Sequence, residues 1–301
     1  MTTSTFRSGF VAIVGRPNVG KSTLLNRLLG QKIAITSSRP QTTRNRILGI
    51  VSSDEGQILL LDTPGIHQGG GKLNRYMVDQ AFSACSDVDL TLFVVEATAA
   101  PHPEDEALLE KLTSRGVPLY LLLNKVDQIP RETLLPLIEA YASRHNVAEI
   151  IPLSALTGEG TDTLVANVLA HLPEGPRYYP EDMVTDLPER FIVAEMIREQ
   201  VLRQTRDEVP YNVAVAVEEF VEKPERDLVV IRAAVTVGRD SHKGILLGKR
   251  GSMVRSIGKA ARHQIESFLG CRVFLEIFVK VEKNWTESER LLKEFGYHEK
   301  R

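Results

Sequence analysis

The sequence has 301 residues, 43% apolar and 25% charged, which suffices for two globular domains and excludes a disordered or fibrous chain. The formal net charge of −2 excludes a basic field over the whole molecule, so any surface that binds polyanions has to be local. Two cysteines in all favour a reducing compartment over a disulfide framework, and without a signal peptide or an apolar run of ~18 residues we expect a cytoplasmic protein.

The first half of the chain alternates short apolar runs with helical patterns. The runs are FVAIVG, QILLLD, LTLFVV, VPLYLLLN and EIIPLSA, and the segments STLLNRLLG and TDTLVANVLAHL have helical spacing. Strands that are apolar on both faces belong to a parallel sheet that helices cover. We therefore predict an α/β domain with a doubly wound, mostly parallel sheet over residues 7–172.

A glycine-rich loop, GRPNVGKST, joins the first predicted strand to the first predicted helix. Gly15 and Gly20 allow the backbone N–H groups to turn inward onto phosphate oxygens, and the helix N-terminus adds its positive dipole end. Lys21 is expected to reach the β- and γ-phosphates, and Ser22 to offer its hydroxyl to Mg²⁺. The alternative, an unrelated glycine turn, is disfavoured by the strand before the loop and the helix after it.

The motif NKVD, at the end of a buried strand, indicates which base is bound. Asp127 can accept hydrogen bonds from N1–H and the 2-amino group of guanine, whereas adenine would leave a buried carboxylate unpaired. The segment SAL follows the next strand, where Ala155 is expected to offer its backbone N–H to guanine O6. Together the two motifs predict a guanine nucleotide, although Ser154 taken alone is equally a turn serine.

Two further segments of this domain are expected to respond to the γ-phosphate. In LLLDTPG, Asp62 is expected to hold Mg²⁺ through water, and the Gly65 N–H to sense the γ-phosphate. A threonine of the polar segment AITSSRPQTTRNRI is expected to complete the Mg²⁺ shell. This segment and the glycine-rich stretch IHQGGGKLNRYM are predicted to order with GTP and to loosen after hydrolysis. The residues predicted to contact the nucleotide are Gly15, Arg16, Pro17, Asn18, Val19, Gly20, Lys21, Ser22, Thr23, Asp62, Thr63, Pro64, Gly65, Asn124, Lys125, Asp127, Ser154, Ala155 and Leu156.

Prolines and glycines interrupt the pattern after Leu172, so we predict a linker over residues 173–187 and a second domain over 188–301. That domain begins with an amphipathic helix, ERFIVAEMIREQVLRQT, and continues with a hairpin of YNVAVAVEEF and DLVVIRAAVTVG. A helix, a glycine turn, another helix and the strand RVFLEIFVKV follow, which predicts a smaller α+β fold. Trp285 is expected to pack a C-terminal helix against the domain, with stacking on a base as the alternative.

The positive charge of the second domain is concentrated around the glycine turn. Eight Lys or Arg and two acidic residues lie between Arg239 and Arg272. A G-x-x-G turn between two helices on a three-stranded sheet is the arrangement of a type II KH domain, which clamps about four nucleotides of single-stranded RNA. Ile245, Leu246, Val254 and Ile257 are expected to form an apolar wall, and a helix–turn–helix with a solvated basic face is the alternative. The residues predicted to bind RNA are Lys243, Ile245, Gly248, Lys249, Arg250, Gly251 and Arg255.

The series of motifs resembles the Era family, within the translation-factor-related GTPases. GRPNVGKSTLLN, PQTTR, DTPG, NKVD, SAL and ILLGKRGSMVRSIG occur in the family's order between about Phe6 and Val281. The resemblance implies GTP hydrolysis and work in assembly of the small (30S) ribosomal subunit, on single-stranded 16S rRNA near its 3′ end. It also implies that Thr43 is the threonine that binds Mg²⁺, and that the protein contacts the inner membrane peripherally.

The catalytic prediction starts from a missing glutamine. Ras-like enzymes orient the attacking water with a glutamine directly after D-x-x-G, and this position is Ile66 here. We therefore expect slow intrinsic hydrolysis of GTP to GDP and phosphate. By spacing alone Asn18 is a turn residue, but the resemblance implies that it holds K⁺ beside the phosphates, where a cation replaces an arginine finger. The residues predicted to be catalytic are Lys21, Asn18 and Thr43.

An RNA-binding GTPase has two alternatives. A metabolic P-loop kinase is disfavoured by NKVD. A membrane-associated regulatory GTPase of the cell cycle or division would place the basic patch on anionic lipid, with no obligate RNA ligand, but the sequence lacks an amphipathic anchor. The preferred interpretation is a monomeric, cytoplasmic, ribosome-associated protein that uses GTP/GDP, Mg²⁺ and K⁺ and binds rRNA.

Overall fold

A computed structural model describes residues 5–66, 70–97 and 101–297 of the chain. The described residues form two compact units. One unit comprises the described parts of segments 1–34, 43–68 and 77–186, and the other those of 35–42, 69–76 and 187–301. The short segments 35–42 and 69–76 therefore group with the C-terminal part of the chain, although both lie inside the predicted first domain.

A six-stranded mixed sheet forms the centre of the first unit. Its strands are β1 (Arg7–Val14), β2 (Ile47–Ser52), β3 (Gly56–Asp62), β4 (Leu90–Glu96), β5 (Leu119–Asn124) and β6 (Glu149–Leu153). The spatial order is β2-β3-β1-β4-β5-β6, and all neighbours are parallel except β2 with β3. The predicted mostly parallel sheet is confirmed. The antiparallel edge strand β2 was not predicted, because it directly follows a polar segment and contains a glycine that weakens the strand pattern.

The helices that connect these strands bury their apolar sides against the sheet. They are α1 (Lys21–Leu29), α2 (Lys72–Ser83), α3 (Pro103–Thr113), α4 (Leu134–Ala142) and α5 (Thr161–His171). Leu109 and Leu112 of α3 and Tyr141 of α4 pack in one cluster with Phe93 and Leu121 of the sheet. These strands read as continuous apolar runs because helices cover them, as expected for a parallel sheet.

The strand register aligns the ends of the motif-bearing strands. Ile13 of β1 lies opposite Asp62 of β3, and Asn124 of β5 lies opposite both Glu96 of β4 and Leu153 of β6. Parallel strands present their carboxyl ends at one edge of the sheet, which is where α/β proteins bind ligands. The glycine-rich loop, DTPG, NKVD and SAL therefore all begin at this edge.

The predicted linker lies against the first unit instead of forming a free tether. The buried Gln57 side chain accepts hydrogen bonds from the backbone N–H groups of Tyr178 and Tyr179, at 2.9 and 3.0 Å. The Ser8 hydroxyl donates to the Pro176 carbonyl at 2.6 Å. Residues up to Asp186 consequently belong to the first unit, and the exact domain boundaries stay a prediction.

The second unit has the predicted order of helices and strands. Its elements are α6 (Glu189–Gln204), β7 (Val213–Lys223), β8 (Leu228–Val237), α7 (Asp240–Leu247), α8 (Ser252–Leu269), β9 (Arg272–Val281) and α9 (Glu289–Glu294). The sheet order is β7-β8-β9, with β7 antiparallel and β9 parallel to β8. The predicted α+β fold with a three-stranded sheet is confirmed.

Two side-chain environments in this unit bear on the predictions. Trp285 is fully buried, stacks on Tyr297 and meets Phe295 edge to face, so its predicted packing role is confirmed over stacking on a base. Helix α6 was predicted to be amphipathic, and this was wrong, because every residue from Ile192 to Leu202 is buried, the charged ones included.

Within the described ranges, no helix is both long enough and apolar enough to cross a membrane.

Candidate nucleotide site and basic cleft

The lysine of the glycine-rich loop is held inside the loop. Lys21 is buried, and its ammonium donates to the carbonyl oxygens of Gly15 at 3.0 Å and Arg16 at 2.8 Å. Burial lowers the pKa of Lys21 to about 8. Carbonyl oxygens are weaker partners for an ammonium group than phosphate oxygens are. The geometry therefore leaves the lysine ready to transfer to an anion that enters the loop.

A bidentate ion pair that was not predicted from the sequence anchors the same loop. The Arg16 guanidinium donates from Nε and Nη2 to the two carboxylate oxygens of Asp105, at 2.7 and 2.8 Å, and Asp105 is 2% exposed. Asp105 lies in the first turn of α3. Paired planar groups of this kind fix orientation as well as distance. Arg16 thus braces the loop, and the carboxylate was not visible as a partner because 89 residues separate the two positions.

Three oxygen-bearing side chains converge beside the loop. The Ser22 hydroxyl lies 2.8 Å from Thr43 Oγ1 and donates to Asp62 Oδ2 at 2.7 Å. The other carboxylate oxygen, Asp62 Oδ1, is buried without a hydrogen-bond partner, and burial raises the pKa of Asp62 to about 6. Oxygen ligands of this kind suit a hard divalent cation. The donor set and the unsatisfied oxygen fit Mg²⁺, and the assignment of these residues to the ion stays a prediction.

The DTPG segment lies directly on the glycine-rich loop. The Ile66 N–H donates to the Gly15 carbonyl at 3.2 Å. A Cβ atom at Gly65 would lie 2.7 Å from the backbone of Pro17, closer than real contacts allow. The Thr63 hydroxyl donates to the Ile13 carbonyl at 2.8 Å, which fixes the start of the segment on β1. Gly65 thus lies directly against the glycine-rich loop. His67, one position after Ile66, lies outside the described residues.

The base-recognition motifs are connected through Asn124. Its side-chain amide donates to the Val19 carbonyl at 2.7 Å and accepts from the Ala155 N–H at 2.9 Å. The expectation that Ala155 offers a free N–H to guanine O6 therefore needs correction, because this N–H already has an amide partner. Ser154 is buried, and its hydroxyl accepts from the Thr157 N–H, which is its turn role.

Two charged residues of NKVD behave differently from each other. Lys125, with a left-handed φ of 70°, forms an ion pair with Glu96. Asp127 is exposed, so the expectation of a buried carboxylate is wrong for the protein without its base. Discrimination against adenine then depends on the base itself covering Asp127. Asn18 has φ 65°, which agrees with its turn role, and its K⁺ role stays a prediction.

The glycine turn between α7 and α8 is braced by its own basic residues. Gly248 has φ 67° and ψ 177°, and a Cβ atom there would lie 2.9 Å from the Met253 N, so glycine is required. Arg250 adopts a left-handed φ of 51°, which is uncommon outside glycine and asparagine. Arg255 donates to the carbonyls of Arg250 and Gly251. Arg255, which was predicted to bind RNA, thus supports the turn and is itself exposed, as are Lys249 and Arg250.

A cleft of about 470 Å³ runs between α8 and the edge strand β9. The lining includes Lys259 and Arg262 of α8. Both belong to the basic cluster between Arg239 and Arg272, but neither was predicted to bind RNA. The predicted apolar wall is partly wrong, because Leu246 and Ile257 are each 1% exposed and belong to the core. Ile245 is exposed as predicted. The residues that line the cleft are Val254, Arg255, Gly258, Lys259, Arg262, Leu275, Glu276 and Ile277.

Comparison with known proteins gives matches over both units. A family model described as a 50S ribosome-binding GTPase matches residues 10–125, and a KH domain model matches residues 208–286. The protein GTPase Era of Geobacter metallireducens is 54% identical over 297 residues, which are 99% of this chain and 100% of that relative. GTPase Era of Geotalea uraniireducens is 55% identical with the same coverage.

Solved structures also match the chain over nearly its whole length. A variant of Aquifex aeolicus Era bound to GDP·AlF4⁻ has a TM-score of 0.94 at 41% identity, covering 97% of this chain and 99% of that one. A structure of Era in complex with MgGDPNP and nucleotides 1506–1542 of 16S ribosomal RNA has a TM-score of 0.93, at the same identity and coverage.

Proposed function

We propose that this chain, which belongs to the Era family of GTPases, is a GTP-controlled RNA-binding protein of small (30S) ribosomal subunit assembly. The proposed RNA is single-stranded 16S rRNA near its 3′ end, and the proposed place of work is the ribosome, in the cytoplasm, as a monomer. The observation that carries the proposal is that one chain combines a guanine-nucleotide site with a basic cleft beside a G-x-x-G turn. The related complex with a 16S rRNA segment supports the choice of subunit.

The nucleotide chemistry follows from the residues at the sheet edge. Lys21 would exchange the two loop carbonyls for phosphate oxygens, which stabilises negative charge in a buried place. Ser22, Thr43 and Asp62 would hold Mg²⁺, which when bound supplies charge neutralisation at the β- and γ-phosphates. Asn124 links the loop to SAL, so base recognition and phosphate binding share one framework.

The position after DTPG supports slow hydrolysis. Ile66 is 7% exposed and has no side-chain group that can orient a water molecule. The transferring phosphoryl group therefore needs another source of positive charge, and we propose K⁺ held with the help of Asn18. Asn18 has a left-handed backbone conformation within the loop. This conformation is compatible with a turn role and with a K⁺-binding role.

The RNA site is proposed to be the exposed turn together with the cleft. Lys249 and Arg250 lie at the exposed tip of the turn, where phosphates can approach. The cleft combines the cations Lys259 and Arg262 with the apolar side chains of Val254 and Ile277. Cations beside an apolar floor match the phosphates and base faces of a single strand.

The experiment compares two charge reversals in the full-length protein. K249D/R250D should abolish binding of a single-stranded 16S 3′-terminal oligonucleotide and leave GDP binding intact. The matched control, K223D/R226D, makes the same charge change at the hairpin turn between β7 and β8, and should bind RNA like the wild type. Wild-type affinity should fall with added salt, because phosphate contacts release counterions.

The same titration tests the membrane alternative, which nothing in the described part of the chain favours. Anionic phospholipid vesicles should bind no better than neutral vesicles. Full RNA binding by K249D/R250D would contradict the proposed RNA site.

A further inference from the structure

Helix α3 carries a buried carboxylate, that of Asp105, on the side that packs into the core of the first unit. Asp105 is 2% exposed, and Leu109 is fully buried in the apolar cluster of the sheet. Residues four positions apart lie on the same face of a helix, so the packing of α3 fixes the position of the carboxylate. Burial of a carboxylate is costly unless the group is paired, which makes its partner informative.

The partner of this carboxylate is the side chain of Arg16 in the glycine-rich loop. Two hydrogen bonds, 2.7 and 2.8 Å long, join Nε and Nη2 of Arg16 to the two oxygens of Asp105. A bidentate pair fixes the orientation of both groups as well as their distance. Both residues belong to the first unit, so the loop is attached to a helix of its own unit.

The backbone of the same arginine holds the lysine that is expected to bind phosphate. The Lys21 ammonium donates to the Arg16 carbonyl at 2.8 Å and to the Gly15 carbonyl at 3.0 Å. The side chain of Arg16 is thus attached to α3, while its carbonyl is attached to the buried lysine. Through this one residue, the packing of α3 determines where the first half of the loop lies.

The first half of the loop is also contacted by the DTPG segment, which is predicted to respond to the γ-phosphate. The Ile66 N–H donates to the Gly15 carbonyl at 3.2 Å, and Gly65 lies directly against Pro17. If DTPG moves between nucleotide states, the loop needs a second support that does not move with it. Asp105 provides such a support, because its helix packs in the core independently of DTPG.

We propose that Asp105 is a positioning residue for nucleotide binding, which through Arg16 keeps the glycine-rich loop in the shape that accepts phosphate. The inference rests on the proposed function, because it takes this loop as the phosphate site. It concerns affinity and not the chemical step, since the phosphates themselves hold the loop once they are bound. A loop that has the accepting shape for about a tenth of the time binds with an apparent affinity about tenfold weaker.

The experiment uses D105N in the full-length protein. Asparagine keeps the size of the side chain but replaces one acceptor oxygen by a donor group, so the bidentate pair is lost. The Arg16 side chain is 18% exposed, and water can therefore solvate the released guanidinium. We expect the Kd values for GDP and for a non-hydrolysable GTP analogue to rise by the same factor, about 10-fold. The single-turnover hydrolysis rate at saturating GTP should be unchanged.

This pattern separates positioning from a loss of fold. A destabilised protein would contain fewer active molecules, but its folded fraction would keep the wild-type Kd values. R16K provides a second perturbation should D105N fold poorly, because lysine keeps the charge without the planar fork, and it should raise both Kd values equally. Unchanged Kd values in either folded variant, or a rise for the GTP analogue alone, would overturn the proposal.

The matched control is E106Q, at the next position of the same helix. Glu106 pairs with Arg144 of the same unit at 2.5 Å, so E106Q removes the same charge and breaks an ion pair that does not involve the loop. This variant should bind both nucleotides like the wild type. A rise in Kd equal to that of D105N would show that negative charge on α3, and not the bond to Arg16, is responsible, and would overturn the proposal.

A double-mutant cycle tests the route from Asp105 to the loop. If Asp105 acts through Arg16, D105N should have no further effect on the Kd for GDP in the R16A background, whereas additive effects would overturn the inference. K21A tests the proposed function separately. Wild-type GDP binding by K21A would overturn this loop as the phosphate site, while loss of binding by K21A together with a wild-type D105N would overturn this inference alone.

Discussion

Replacement of Gly65 by alanine should separate the DTPG segment from the glycine-rich loop and slow hydrolysis. The added Cβ atom would lie 2.7 Å from the Cα and N atoms of Pro17, whereas an ordinary contact begins at 3.4 Å. The two backbones must therefore move apart by about 0.7 Å, and misplacement near 1 Å in a catalytic site costs about 100-fold in rate. The Ile66–Gly15 hydrogen bond, 3.2 Å long, would weaken with it, at a cost of about 1 kcal/mol.

The assay for G65A is single-turnover GTP hydrolysis, with GDP binding measured in parallel. The rate should fall by about 100-fold, while GDP binding is retained, because GDP lacks the phosphate that the Gly65 N–H is expected to sense. Gly244 of α7 provides the control, since a Cβ atom there meets nothing within 4 Å, and G244A should hydrolyse GTP like the wild type. A G65A protein that folds and hydrolyses GTP at the wild-type rate would refute the argument that this close approach serves catalysis.

Three further changes test other parts of the molecule. Asp127→Asn should lose at least about tenfold in GTP affinity, since hydrogen bonds to a charged group contribute about 1.5–3 kcal/mol each, and gain affinity for xanthosine triphosphate; unchanged GTP binding would contradict the assignment of Asp127. Hydrolysis should be faster in K⁺ than in Na⁺ at matched ionic strength, and Asn18→Ala should remove the difference; equal wild-type rates in the two salts would return Asn18 to its turn role. Trp285→Ala should destabilise the second unit by about 3–5 kcal/mol in a circular-dichroism melt, because the indole is fully buried between Tyr297 and Phe295; an unchanged melt would contradict this.

The nucleotide site could be predicted because its parts follow from local sequence and one topological rule. Each motif directly follows or ends an apolar strand, and parallel strands bring their carboxyl ends to one edge. The register that places Ile13 beside Asp62, and Asn124 beside Leu153, therefore needed no long-range information. The same holds for the second unit, where the order of helices and strands determined the sheet.

The errors concern contacts and burial that depend on residues distant in the sequence. The Ala155 N–H is taken up by Asn124, and this residue lies 31 positions away. Leu246 and Ile257 were assigned to a wall from apolar spacing, which does not distinguish a cleft from the core beneath it. In each case the residue type was suitable and the neighbour was unknown.

Helix α6 shows why the polar residues of a helix cannot be placed from periodicity alone. Glu195, Arg198 and Glu199 satisfy the pattern of a solvated face, and water is the usual partner of such residues. Here they are buried, and two of them bond backbone groups of Thr36 and Thr42. A segment without regular structure has unpaired N–H and C=O groups, and burial of these groups requires partners. Ionised side chains meet that requirement, so a buried charged face marks the place where a helix holds an irregular segment.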